Sequence, residues 1–326
     1  MPATPVIQVE HLRKAYGSKV AVEDVSLTVA RGEIVGILGP NGAGKTTTVE
    51  CLAGLRVPDA GRVRVLGMDP QADKARVKEV LGMQLQESEL PAKLKVREAL
   101  DLYASFYADP ADPAALLADL GLAERAEARF EQLSGGQKQR LSVALALIGN
   151  PQVAVLDELT TGLDPQARRD TWGLVERVRD RGVTVLLVTH FMEEAERLCD
   201  RVVLIDAGRV IATGTPAEVA EQASGGQRLR FRASAPVPAS VIEALPSVTS
   251  VRGPDPVGEY DVRGAGSVVQ DVLVELAGRG VTADTVRVEG GTLDDAFVAL
   301  TGRARSTENG ATQNVPTPPA TTPSEV

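Results

Sequence analysis

The chain has 326 residues, which is too long for one average domain and sufficient for two. Lys and Arg number 35 against 44 Asp and Glu, so the net charge is -9, and this acidic balance argues against a nucleic-acid binder, which needs a concentrated basic face. The two cysteines, Cys51 and Cys199, lie far apart, which excludes a disulfide scaffold and favours the reducing cytosol. The N-terminus lacks a signal-peptide pattern, and no apolar run approaches the roughly 20 residues that span a bilayer, so we expect any membrane role to come through a partner.

The first part of the chain predicts an α/β domain built on a parallel sheet. Residues 25–29 alternate like a half-buried strand, and residues 33–38 are an aliphatic strand that leads through a glycine-rich turn into a helix over residues 45–53. Residues 153–156 and 184–188 are continuous aliphatic runs, typical of parallel strands buried on both faces. A helix-rich region over residues 96–149 precedes the first of these runs and indicates a helical insertion.

A second pattern follows Glu221. Residues 223–227 are expected to form a linker, and residues 303–326, rich in Thr, Pro and Ser, to be disordered. Between them we expect a small α+β domain over residues 228–302 with the ferredoxin-like order βαββαβ. Its last helix starts at Thr292, with Asp295 completing a capping box. The predicted strands and helices cover, in this order, residues 228–232, 238–244, 248–252, 259–263, 267–278 and 281–288.

A phosphate-binding loop is the strongest chemical signal. Residues 39–46 read Gly-Pro-Asn-Gly-Ala-Gly-Lys-Thr and match G-x-x-x-x-G-K-[ST], with a strand before and a helix after. The glycines let successive N–H groups turn toward phosphates, and the helix N-terminus adds a favourable field for anions. Lys45 is expected to reach the β- and γ-phosphates, and Thr46 to bind Mg²⁺. The predicted nucleotide-binding residues of this loop are Gly39, Pro40, Asn41, Gly42, Ala43, Gly44, Lys45, Thr46 and Thr47.

Two carboxylates follow the aliphatic run at residues 153–156. At a strand end, Asp157 is placed to hold Mg²⁺ through water, and Glu158 to polarise an attacking water. Acids often cap strand ends, so the pair alone is a weak signal. Downstream of a phosphate loop, it becomes the expected second half of a nucleoside triphosphate site.

The segment Leu-Ser-Gly-Gly-Gln at residues 133–137 resembles the signature motif of the ABC ATPases. Ser134 and the amides of Gly135 and Gly136, with Gln137 after them, form a second anion-binding element at a helix start. The chain thus has two such elements for one nucleotide. A head-to-tail dimer resolves this, because each signature would close on the γ-phosphate held by the other copy. A second Ser-Gly-Gly-Gln at residues 224–227 lacks the preceding Leu and is assigned to the linker.

This resemblance covers residues 6 to about 221 and implies further site residues. Tyr16 looks like the aromatic residue that stacks on adenine, and Asp164 resembles the acid of the loop that reaches across the dimer. Gln86 matches the glutamine that serves both catalysis and Mg²⁺, although Gln84 leaves the register open by two residues. His190 ends an aliphatic run, as the family's switch histidine does, and would contact the γ-phosphate and orient Glu158 or the water.

The family also implies an architecture and partners. We expect a P-loop ABC ATPase over residues 1–222, with a RecA-like parallel sheet, an antiparallel β subdomain and a helical subdomain at about 87–150. ATP and Mg²⁺ are the expected cofactors. The expected partners are a second copy of the chain and an integral membrane permease, which would hold the protein at the cytoplasmic face of the cell membrane. Leu90, Leu94 and Val96 look exposed among charges and suit a groove for a permease helix.

Three features resemble the ATPases of ABC-2 type exporters, which include drug-resistance ATPases of the daunorubicin type. They are residues 189–196, residues 293–302, and Leu159 where most ABC ATPases have proline after the catalytic glutamate. We expect the loss of the fixed proline φ to alter the path of the cross-dimer loop while both acids are kept. Such exporters expel drugs, lipids or polysaccharide. An importer ATPase and a soluble, non-transport ABC ATPase are the alternatives, whereas the lack of Asn-Lys-x-Asp disfavours a P-loop GTPase.

Overall fold

The first unit of the protein is organised around a nine-stranded sheet. The computed structural model describes residues 5–84, 90–224, 226–264 and 266–301, and the chain divides into two units, Met1–Ala220 and Glu221–Val326. The strands of the first unit are β1 (Ile7–Tyr16), β2 (Lys19–Val29), β3 (Ile34–Leu38), β4 (Ala60–Val65), β5 (Leu81–Gln84), β6 (Val153–Asp157), β7 (Thr184–Thr189), β8 (Arg201–Asp206) and β9 (Arg209–Gly214). Their spatial order is β4-β1-β2-β9-β8-β3-β7-β6-β5.

The centre of this sheet is parallel and buried. Strand β3 pairs in parallel with β7 and β8, and β6 pairs in parallel with β5 and β7. Every residue of β3, β6 and β7 is buried, which explains their continuous aliphatic sequences. Strands β1, β2 and β4 pair antiparallel at one side of the sheet. The α/β fold class is confirmed, and the carboxyl ends of β3, β6 and β7 meet at one edge.

Helices lie between these strands and after the last of them. They are α1 (Lys45–Leu52), α2 (Lys74–Val80), α3 (Val96–Ala104), α4 (Pro113–Asp119), α5 (Gly135–Leu147), α6 (Pro165–Asp180), α7 (Met192–Leu198) and α8 (Pro216–Ser224). One expectation for the helical region was wrong, since Val96 is fully buried rather than exposed. It is the first residue of α3, and its N–H donates to the carbonyl of Ala128 at 3.0 Å, which draws it inward. Leu90 and Leu94 are half-buried.

The second unit is an antiparallel sheet with two helices between its strands. The elements are β10 (Gln227–Ala233), α9 (Ala239–Glu243), β11 (Val248–Arg252), β12 (Glu259–Gly264), α10 (Val268–Gly278) and β13 (Ala283–Glu289), and the strand order is β11-β12-β10-β13. This is the ferredoxin-like arrangement. The rings of Phe231 and Tyr260 stack in its core with their centroids 5.1 Å apart. The Tyr260 hydroxyl donates to the carbonyl of Val237 at 2.7 Å and accepts its N–H at 2.9 Å.

A last helix covers residues 293–301, and at its start the N–H of Thr292 donates to Asp295 at 3.1 Å. The predicted disordered tail, Gln86 and Gly225 of the predicted linker lie outside the described residues. Within the described ranges, no helix combines the length and the apolar character that a membrane crossing requires.

Candidate active site

A cavity of about 430 Å³ opens at the edge where the central strands end. It brings the phosphate loop together with the end of β1, the start of β2 and Glu158, which follows β6. The residues that line it are Tyr16, Lys19, Ala21, Asn41, Gly42, Gly44, Lys45, Thr46, Thr47 and Glu158.

The glycines of the phosphate loop allow a close approach of backbone to backbone. Gly44 precedes α1 with a φ of 103°, and a Cβ there would lie 2.4 Å from the carbonyl oxygen of Ala21. A Cβ on Gly39 would lie 2.1 Å from the carbonyl oxygen of Ile205. Both contacts exclude a side chain, so only glycine fits. The loop therefore presents the N-terminus of α1 to the cavity, where an anion is favoured.

Lys45 lies inside this loop. Its Nζ donates to the carbonyl oxygens of Gly39 at 2.8 Å and Pro40 at 3.1 Å. Burial lowers the pKa of the Lys45 ammonium, while the carboxylates of Glu158 and Asp157 act in the opposite direction. A phosphate oxygen offers this ammonium a charged acceptor that forms a stronger hydrogen bond than a carbonyl does. The cation is thus held at the place where the β- and γ-phosphates are expected.

Asp157 has the features of a metal ligand. Its side chain is buried, and its Oδ2 has no hydrogen-bond partner among the described residues. Burial, with the neighbouring charge of Glu158, raises the pKa of Asp157 to about 6, against the opposing effects of Lys45 and the Thr46 hydroxyl. An unpartnered carboxylate oxygen beside a threonine hydroxyl suits Mg²⁺, which prefers oxygen ligands and is usually held by one or two carboxylates together with substrate phosphates. The residues present therefore fit this ion.

Glu158 and His190 form a pair. The Nδ1 of His190 lies 3.2 Å from Oε1 of Glu158, and the hydroxyl of Thr161 donates to Oε2 at 3.4 Å. Glu158 adopts a left-handed φ of 50°, and its N–H donates to the carbonyl of Val188 at 2.8 Å. The ring of Phe191 lies 4.1 Å from that of His190, centroid to centroid. A carboxylate oriented by an imidazole at the rim of a phosphate site can accept a proton from water.

The predicted signature residues lie outside the cavity. Ser134 caps α5, where its Oγ accepts the N–H of Gln137 at 3.3 Å, and both Ser134 and Gly135 are exposed. A Cβ on Gly136 would lie 3.3 Å from that of Ala167 in α6, so the start of α5 lies against the start of α6. Asp164 caps α6 through the N–H groups of Gln166 and Ala167, and these hydrogen bonds hold the pKa of its carboxyl below the usual value.

Tyr16 lies at the rim of the cavity, with 42% of its surface exposed. Lys19 and Ala21 are lining residues that sequence reasoning missed. The sequence feature that could have indicated them is the two-residue turn Gly17-Ser18. This turn pairs Tyr16 with Lys19 across the β1–β2 hairpin and so brings the start of β2 next to Tyr16. Gln84 is buried, and its Oε1 accepts the N–H of Asp157 at 3.1 Å.

Comparison with known proteins agrees with this geometry. The sequence model of the ABC transporter family matches residues 22–161. Daunorubicin resistance ATP-binding protein DrrA3 of Streptomyces coeruleorubidus is 38% identical over 323 residues, covering 95% of this chain and 100% of that protein. Nod factor export ATP-binding protein I of Ralstonia nicotianae is 44% identical over 222 residues, covering 67% of this chain and 69% of that protein. A solved structure of an ATP-binding subunit of an ABC transporter superposes with a TM-score of 0.60 at 30% identity, covering 67% of this chain and 92% of the other. The chain belongs to the ATP-binding subunits of ABC transporters, which hydrolyse ATP.

Proposed function

We propose that this chain is the ATPase subunit of an ABC-2 type exporter that drives a separate membrane permease for a drug, a lipid or a polysaccharide. The observation that carries the exporter assignment is the similarity to the daunorubicin resistance protein over 95% of the chain. That match spans the second unit as well as the ATPase unit. Two proteins that shared only a nucleotide-binding domain would be expected to match over the ATPase unit alone. The name of the Nod factor export relative points in the same direction.

In the proposed reaction, Glu158 accepts a proton from the attacking water and His190 orients the carboxylate. Their 3.2 Å contact supports these roles. Lys45 binds the β- and γ-phosphates, and Tyr16 stacks on the base. When bound, Mg²⁺ neutralises charge on the phosphates, and Asp157 with Thr46 would hold it. Gln86 is proposed for magnesium binding and catalysis on its resemblance alone.

We place the active form in a head-to-tail dimer around two MgATP. The support is geometric, because Ser134 and Gly135 are exposed and lie outside the cavity that holds Lys45 and Glu158. An exposed anion-binding helix start that does not line the cavity of its own copy can act on the site of a second copy. Asp164, beside it at the start of α6, is proposed to lie at the same dimer contact.

The test is affinity purification of the tagged chain from detergent-solubilised membranes. We expect a polytopic membrane protein to be recovered in stoichiometric amount, and the Lys45→Ala variant to recover it equally well because that change affects the nucleotide and not the docking. ATP-dependent substrate uptake into inside-out vesicles would then fix the direction as export. Recovery of ribosomal or DNA-repair proteins instead would favour a non-transport ATPase, and uptake only in right-side-out vesicles would favour an importer.

A further inference from the structure

A buried carboxylate outside the cavity has no role in the site described so far. Glu194 is the third residue of α7 and is 0% exposed. Burial raises the pKa of its carboxyl. The hydroxyls of Thr189 and Thr160 and the indole N–H of Trp172 surround it, but none of them is aligned for a hydrogen bond of ordinary geometry with either oxygen. Burial of a carboxylate without a hydrogen bond of ordinary geometry costs free energy, and even beside the guanidinium of Arg168 such a group contributes little to stability.

Two neighbours of Glu194, Thr160 and Thr189, belong to the segments that carry the proposed catalytic pair. Thr160 follows Glu158 by two residues, in the turn where the N–H of Leu163 donates to the Thr160 carbonyl at 3.2 Å. Thr189 directly precedes His190, and its Oγ1 accepts the N–H of Phe191 at 3.0 Å. Because that oxygen already accepts, the hydroxyl proton of Thr189 is available to a carboxylate. Glu194 thus faces both threonines.

We propose that Glu194 is a positioning residue for ATP hydrolysis, which holds the turn after Glu158 and the turn at His190 together so that the carboxylate–imidazole contact is kept. This inference rests on the roles proposed above for Glu158 and His190. A displacement of about 1 Å in such a pair is enough to slow a reaction by about a hundredfold. Nucleotide binding does not depend on it, because Glu194 lies outside the residues that line the cavity.

The test compares two replacements of Glu194 that differ in whether they accept a hydrogen bond. Glu194→Met keeps the length of the side chain but removes the acceptor, and we expect kcat to fall about 10- to 100-fold while KM for ATP stays within about twofold. Glu194→Gln keeps an acceptor oxygen, and its kcat should stay within about threefold of the parent. The matched control is Glu193→Gln in the same helix, where the side chain is 71% exposed and the rate should not change.

A double-mutant cycle separates positioning from general packing. If Glu194 acts through the pair, Glu194→Met should slow hydrolysis much less in a Thr189→Val background than in the parent, because the same link is already broken. A merely structural effect would lower kcat by the same factor in both backgrounds and would lower the thermal midpoint. The Met variant should unfold at or above the parent temperature, since an apolar residue replaces a poorly paired buried charge.

Unchanged kcat in Glu194→Met, or full additivity with Thr189→Val, overturns the inference. If Glu194→Met does not fold, the Thr189→Val variant alone tests the inference. The inference requires the kcat of Thr189→Val to fall while its affinity for the nucleotide is unchanged. Glu158→Gln separates this failure from failure of the proposed mechanism. If Glu158→Gln turns over normally, the catalytic role proposed for Glu158 is wrong. If Glu158→Gln is slow but Glu194→Met turns over normally, only the positioning role of Glu194 is wrong.

Discussion

The imidazole Nδ1 of His190 lies 3.2 Å from Oε1 of Glu158, although the two residues are 32 positions apart in the sequence. They meet because each follows one of two neighbouring parallel strands, β6 and β7, whose carboxyl ends lie at the same edge of the sheet. Glu158 is thereby set beside the phosphate loop with its carboxylate already oriented. The first prediction tests what this carboxylate does.

Glu158→Gln should bind MgATP as the parent does but hydrolyse it about 10²- to 10⁴-fold more slowly, which is the usual contribution of a general base. The unhydrolysed nucleotide should then hold two copies together, visible as an ATP-dependent dimer in size-exclusion chromatography. Lys45→Ala is the contrasting variant, since it should weaken nucleotide binding and give no dimer. A turnover close to that of the parent in Glu158→Gln would contradict the proposed role.

A mixture of two inactive variants tests whether the site is shared. Lys45→Ala removes the phosphate contact of its own copy, and Ser134→Arg blocks the exposed start of α5. A heterodimer of the two contains one composite site with both changes and one with neither. Measurable ATPase activity from the mixture, with none from either variant alone, is the expected result. Full activity of a monomer at high dilution would exclude a shared site.

The raised pKa of Asp157 predicts a pH-dependent effect on stability. Because burial raises the pKa from 3.8 to about 6, the folded state binds the proton more tightly than the unfolded state does. The ionised carboxylate therefore lowers the free energy of unfolding. This loss of stability is absent well below pH 3.8, grows as the pH rises, and is complete above about pH 6. Asp157→Asn should therefore raise the free energy of unfolding by about 1 to 3 kcal/mol at pH 8, as a shift of two pKa units allows.

The measurement for Asp157→Asn is urea unfolding in EDTA without nucleotide, at pH 8 and near pH 4.5. The gain in stability should shrink at the lower pH. With MgATP present, the parent should be more stable than the variant, because the variant lacks the carboxylate that is proposed to hold the ion. A variant less stable than the parent at pH 8 in EDTA would show that the unpartnered oxygen does not destabilise the fold.

Tyr260→Phe should destabilise the second unit without affecting nucleotide binding. The change removes a buried hydroxyl and leaves both backbone groups of Val237 without their partner, at a cost of about 1 to 3 kcal/mol. Every cavity-lining residue lies in the first unit, so the affinity for an ATP analogue should stay the same. Tyr103→Phe, which removes a hydroxyl from the first unit, is the control. A loss of nucleotide affinity in Tyr260→Phe would show that the two units depend on each other.

Charged replacements at Leu90 and Leu94 test the proposed contact with the permease. Both side chains are half-buried and precede α3. Leu90→Asp and Leu94→Asp should abolish recovery of the membrane protein while the ATPase activity of the purified chain persists. Lys93→Glu, at an exposed position between them, is the control for charge alone. Unchanged recovery in both leucine variants would place the contact elsewhere.

Much of the fold could be predicted because it depends on local patterns. The aliphatic runs of β3, β6 and β7 indicated parallel strands, and such strands bring their carboxyl ends to one edge, which places Asp157 beside the phosphate loop. The burial of Val96 could not be predicted, since its N–H pairs with the carbonyl of Ala128, which lies far along the chain. Glu194 was missed for the same reason. Among neighbouring glutamates it looks like a surface residue, and only the packing of α7 shows that it is inside.

The position of the Glu158–His190 pair has a kinetic consequence. Glu158 and His190 follow two strands that are buried along their whole length, and such strands open only when a large part of a protein unfolds. The pair is therefore already formed in a single copy, and an event outside it must complete the site. In the proposed dimer, that event is the arrival of a second copy. Turnover per chain should then rise with protein concentration at saturating ATP, as a second-order process does, until a permease holds two copies together and makes the encounter intramolecular.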